Sequence, residues 1–222
     1  MPWSSWLEGS EAAMSKNTGH RGVPTLDECW ALIKAHGMLP HIQEHSRRVA
    51  EVAFWLGAHL VEAGEPLSLD LIEAAALLHD LGKTPCLGTS RNHATWGANL
   101  LRAAGYPEVA RIVEEHIALS FDPGDFSFIR EAEVVNYADK RVLHTQVVPL
   151  AVRFADLLTR YGKTAEARER IMALEAKARV LEAKLFAPLK LDPEVLLHLN
   201  APKYPGSPGI TTKRPGSLWQ ES

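Results

Sequence analysis

The chain has 222 residues, 46% of them hydrophobic, and its 24 Lys and Arg against 27 Asp and Glu leave a formal net charge of −3. That size fits one globular domain with short appendages, and the mild acidity speaks against binding nucleic acid or an anionic membrane through a basic surface. Two cysteines, Cys29 and Cys86, form neither a C-x-x-C pair nor a disulfide framework, and no apolar run approaches the ~18 residues of a bilayer span, so a cytoplasmic protein is expected.

Residues 1–23 are polar and contain Gly and Ser; they read as a loosely ordered leader, with Met14 an alternative start and Glu8 and Glu11 unlike a signal peptide. Thr25-Leu26-Asp27-Glu28 is a capping box that opens a helix running to Gly37. Pro40 suits the first turn of a longer helix ending near Gly64, whose Ile42, His45, Val49, Val52, Leu56 and Leu60 form one apolar stripe that carries His45 inward. Ser68 starts a third helix, the apolar run Ala74–Leu78, which ends in His79-Asp80 before Gly82 and Pro85 stop it. Ser90 can cap a fourth helix through Ala103, and Pro107 opens a fifth through about Leu119. The aromatics of residues 120–128 belong to a loop that folds over something. A sixth helix over about 130–145 contains Asp139, and another runs from Pro149 to Gly162. Residues 164–186 form an amphipathic helix with Ile171, Leu174, Ala178, Leu181 and Leu185 in a stripe, and Asp192 caps one more short helix. From Ala201 on, Pro and Gly give an irregular tail. Nothing alternates with period two, so the chain reads all-α without a sheet.

Two metal-competent groups at the end of a core helix are costly to bury unless a cation or partner compensates them, and His79-Asp80 is such a pair. His45, His93, His116 and Asp139 each fall on a separate predicted helix with an apolar inner face. Imidazole nitrogen mixed with carboxylate oxygen suits Fe or Mn, with Zn, Ni, Co or Mg also compatible. Asp80 is the natural bridge between two cations, because His79 beside it can bind one of them. His41, four residues before His45, could share that face, whereas His59 lies ~21 Å along the helix and cannot. His36 and His144 read as polar helix residues.

In order, the segments His45-Ser46-Arg47-Arg48, Leu78-His79-Asp80-Leu81-Gly82-Lys83, His93-Ala94-Thr95-Trp96, Glu114-Glu115-His116 and Tyr137-Ala138-Asp139-Lys140 resemble the HD-domain metal-dependent phosphohydrolases over about residues 40–162. The resemblance implies an HD helical bundle over 24–162, beyond which the residues read as a C-terminal helical extension over 163–200 and a tail over 201–222. It implies that His45, His79, Asp80 and Asp139 hold one metal, and that His93 and His116 match the positions of a second. Gly105-Tyr106-Pro107 precedes His116 rather than following it, so cyclic-di-GMP hydrolysis is not implied.

The activity so implied is hydrolysis of a phosphate ester or anhydride, in a nucleotide or a similar small metabolite, by a metal-activated water with Asp80 as a catalytic ligand. Phosphate also calls for cations. Lys83 is the first candidate, since the lysine of this motif faces the substrate in similar proteins, and Lys140, Arg141 and Arg153 follow. Two alternatives share the ligand set: a binuclear iron oxygenase on the same scaffold, and a non-catalytic nucleotide-sensing module. The expected partner is therefore a small phosphorylated molecule, with no nucleic acid and no membrane. The 164–186 helix could pack on its own core or support a homodimer.

Overall fold

The structure, a computed structural model, describes residues 22–200. Most of the leader and all of the irregular tail lie outside the described residues. Within them the order is α1 (Leu26–Ala35), α2 (Pro40–Glu62), α3 (Leu69–Leu78), α4 (Lys83–Cys86), α5 (His93–Ala103), α6 (Pro107–Glu115) and α7 (Glu131–Lys140). A hairpin of β1 (Val142–Leu143) and β2 (Gln146–Val147) follows, then α8 (Leu150–Tyr161), α9 (Ala165–Phe186) and a 3-10 segment over Pro193–Asn200. The fold is all-α apart from that small antiparallel ladder, in which Val142 pairs with Val147 and Leu143 with Gln146. Strands of two residues are too short to show an alternating pattern, so no period-two signal marks this sheet.

Local chemistry sets the helix ends. Thr25 Oγ1 accepts from Glu28 N at 3.3 Å while Glu28 Oε2 accepts from Thr25 N at 2.7 Å, closing the expected capping box. Ser68 Oγ caps α3 by accepting from Leu71 N, and Thr164 Oγ1 caps α9 by accepting from Ala167 N. α5 is capped by Asn92, whose Oδ1 accepts from Ala94 N at 2.9 Å, and not by Ser90. That shift makes His93 the first residue of α5. α6 stops at Glu115, so His116 sits at its C-cap rather than inside a helix reaching Leu119.

α2 is the spine of the bundle. Its stripe of Ile42, Val49, Val52, Leu56 and Leu60 is buried together with His45, and it packs on α3, α7 and β1. α6 packs on α3, α5 and α7, while α9 packs on α7 and α8. The stripe of α9 (Ile171, Ala178, Leu181 and Leu185) is buried in the protein's own core. The loop aromatics close over Arg130, whose Cζ lies 3.9 Å from the centroid of Phe121 and 4.2 Å from that of Phe128. Among the described residues, no helix is long and apolar enough to cross a membrane.

Candidate metal centre

α2, the α3–α4 turn, α5, α6 and α7 bring their polar residues to one place inside this bundle. His45, His79 and Asp80 form one group, and Asp80, His93 and His116 form a second; within each group the donor atoms lie within 4.8 Å of one another. Asp80 is common to both. Its Oδ2 is 3.4 Å from His79 Nε2, and its Oδ1 is 3.3 Å from His93 Nε2 and 3.8 Å from His116 Nε2. Asp139 joins the first group, with Oδ1 3.1 Å from His45 Nε2 and 3.6 Å from His79 Nε2.

Backbone carbonyls orient three of the four imidazoles. His45 Nδ1 donates to His144 O at 2.8 Å, His79 Nδ1 to Ala76 O at 2.7 Å, and His116 Nδ1 to Val113 O at 2.6 Å. A proton on each Nδ1 leaves the Nε2 lone pair aimed at the centre, which is the tautomer that a metal ligand requires. His79 Nε2 is fully buried and has no hydrogen-bond partner. His93 and His116 face each other Nε2 to Nε2 at 3.2 Å. Buried polar atoms left without partners are expensive, and converging lone pairs beside two carboxylates are what a divalent cation compensates. The donor set therefore fits a metal.

The charges agree. Burial alone would raise the Asp80 carboxyl, but His79, His93 and Lys83 hold it well below the usual carboxylate range. Burial of Asp139 is likewise overridden, by His45 and His79, and its carboxyl is held low. Both therefore stay ionised, the state in which a carboxylate can hold a cation. Burial and the nearby His79 push His116 down to about 3, so its imidazole is neutral.

Close backbone approach sets the spacing between the two groups. A Cβ on Gly82 would lie 2.3 Å from His93 O and 2.5 Å from Gly97 N. The glycine of the His-Asp-Leu-Gly-Lys turn thus does more than end a helix, because it lets the start of α5 close on Asp80. Only glycine fits there.

A cavity of about 630 Å³ opens beside the centre, lined among others by Lys83, Arg153, Arg160, Leu157 and Leu174. Lys83 Nζ donates to Asp80 Oδ2 at 2.7 Å. Arg153 lines the cavity as well, and its buried Nε has no hydrogen-bond partner. His41 lies on the cavity wall but in neither donor group.

The two remaining cationic candidates are engaged by protein acceptors. Lys140 is buried, and its ammonium donates to His116 O at 3.0 Å, Asn136 O at 3.2 Å and Asn136 Oδ1 at 2.9 Å. All three donors of an ammonium are then spent on the protein, so Lys140, although it borders the cavity, holds the His116 turn in place. Arg141 is wholly buried and does not reach the cavity. Its guanidinium donates to Val148 O at 2.8 Å, Tyr137 Oη at 2.6 Å and Glu182 Oε2 at 3.1 Å, which fastens α7 to the hairpin strand and to α9. His144, expected on a helix, lies instead in the hairpin turn and supplies the carbonyl that orients His45.

Comparison with known proteins agrees with the geometry. The chain is 29% identical over 146 residues to an uncharacterized protein of Methanocaldococcus jannaschii, covering 60% of this chain and 85% of that one. It is 32% identical over 96 residues to a tRNA (cytidine(56)-2'-O)-methyltransferase of Thermoplasma volcanium, covering 43% of this chain and only 26% of that enzyme. No solved structure matches. HD domains bind divalent metals and are commonly metal-dependent hydrolases. It is the HD domain family that residues 42–144 match, the stretch that holds all six ligand candidates from His45 to Asp139.

Proposed function

We propose that the protein is a metal-dependent phosphohydrolase that binds two divalent cations, Fe or Mn, and acts on a nucleotide or a similar small phosphorylated metabolite. The observation that carries this reading is Asp80, whose two oxygens face different histidines and belong to both donor groups. A pair of cations held there would acidify a water as the nucleophile and neutralise charge on phosphoryl oxygens.

The protein's own groups prepare the rest. Asp80 and Asp139 bring formal negative charge to the cations, and the four histidines bring neutral nitrogen. Lys83 spends one of its three donors on Asp80 and keeps two for phosphate oxygens. Arg153, also on the cavity wall, is a second cation for phosphate oxygens. Leu157, Leu174 and Ile171 give the cavity an apolar side suited to the organic part of a metabolite.

The test is phosphate release by the Mn-loaded protein, without oxygen, from a panel of nucleotides and sugar phosphates. Release that disappears on chelation and returns with Mn supports the reading. Dioxygen consumption by an iron-loaded protein with no phosphate release would identify an oxygenase instead. Tight nucleotide binding without turnover across several metals would identify a sensor.

A further inference from the structure

The hairpin turn carries a feature the metal centre alone does not require. β1 and β2 are joined by two residues, and His144, the first of them, has φ +56, a left-handed conformation that glycine adopts freely and other residues at a cost. The carbonyl that orients His45 comes from the backbone, so any residue at this position could supply it. The imidazole of His144 makes a separate contact: Arg160 Nη2 donates to its Nε2 at 3.0 Å. Arg160 Nε also donates to Asp156 Oδ1 at 2.9 Å, one helical turn back along α8. Asp156 is not part of the cavity wall, whereas Arg160 and His144 are. The Nε–Nη2 edge of the guanidinium is thus held by the protein, and Nη1, with no protein partner among the described residues, is left for a ligand.

We propose that Arg160 is a substrate-binding residue for phosphate oxygens, and that His144 is the positioning residue that aims it while its carbonyl holds the metal ligand His45. The inference rests on the phosphohydrolase reading only in naming the anion as phosphate. A planar fork held at two points loses little freedom when it engages an anion, which makes it a prearranged receptor. Arg153 stands two turns earlier on the same face of α8, with Phe154 and Leu157 between the two arginines on the cavity wall. The histidine at a glycine-favouring position fits this role, because backbone strain of this kind persists where function uses it.

The experiment titrates the Mn-loaded full chain with inorganic phosphate in four forms: wild type, Arg160→Gln, His144→Gly and the double variant. Arg160→Gln is expected to weaken phosphate binding about tenfold, in the range of a lost charged hydrogen bond. His144→Gly keeps the turn and the carbonyl, and it is expected to weaken binding several-fold with unchanged metal content and an equal or higher Tm. The double variant is expected to bind no worse than Arg160→Gln, since His144 acts only through Arg160. Wild-type binding too weak to measure, unchanged affinity in Arg160→Gln, additive losses, or metal loss in His144→Gly would each overturn the proposal. A lowered Tm in His144→Gly would do the same by making the ring a hairpin clamp. Binding is read without turnover, so a protein that shows these losses yet releases phosphate from no substrate refutes the hydrolase reading alone.

Discussion

Acid should destabilise the metal-free protein through His116 well before its carboxylates titrate. The His116 side chain is 2% exposed, and burial together with His79 pushes its pKa from 6.5 down to about 3. A base with a depressed folded pKa binds fewer protons in the native state than in the unfolded chain between those two values. Its contribution is therefore complete above pH 6.5 and falls as the pH drops, with a limiting slope of ~1.4 kcal/mol per unit. Between pH 6.5 and about pH 5 the expected loss is roughly 1 to 2 kcal/mol. His36, lowered by burial, acts in the same sense. In His79, burial is outweighed by Asp80 and Asp139, and the pKa is raised. Its stabilisation is largely in place at pH 6.5 and is lost on the alkaline side. Asp80 and Asp139 are held low and lose their contribution only as the pH falls through their folded values, below this window. Urea denaturation of chelator-treated protein at the two pH values measures the loss, and His116→Gln should remove most of it. Equal stability of the wild type at both values would show that His116 is not held neutral, and the claim that it presents a free lone pair would fail.

Lys83→Ala should leave metal content near wild type and reduce turnover of a phosphorylated substrate by ~10-fold or more, because it removes a phosphate donor and no ligand; undiminished turnover would return Lys83 to an ion-pair role. Arg141→Met should cost ~2–3 kcal/mol in urea denaturation, since it removes the wholly buried guanidinium that bonds Val148 O, Tyr137 and Glu182. Weakened phosphate binding in a fully stable Arg141→Met protein would instead restore Arg141 to the substrate site. Gly82→Ala forces a Cβ against His93 O and should selectively lower occupancy of the site shared by Asp80, His93 and His116; metal titration showing both sites intact would contradict that close approach.

The residues that converge at the candidate centre are legible because each declares itself within its own segment. His45 lies on an apolar stripe, His79-Asp80 ends a buried run, and the order of the remaining His and Asp residues completes a recognisable set. The cations around them were harder to read. Lys140 and Arg141 follow Asp139 directly in sequence, but successive residues turn by about 100° around a helix, and Arg141 is thereby carried away from the cavity while the Lys140 ammonium is taken up by protein acceptors. Their real partners, the His116 carbonyl and Glu182, come from elements distant in the chain. Arg160 does not stand out in the sequence, because an Arg four residues after an Asp reads as an exposed helix pair; only the arrival of His144 from the hairpin sets it apart. The helix expected over about 130–145 ends at Lys140, since the residues that follow turn back as the hairpin.

Metal stoichiometry tests the shared-carboxylate centre most directly. Protein purified without chelator, loaded with Mn, desalted and analysed for metal should carry close to two ions per chain. His93→Ala should retain about one, and Asp80→Asn should retain neither at the same loading, because Asp80 serves both donor groups. A single ion in the wild type that survives His93→Ala, or two ions that survive Asp80→Asn, would contradict it.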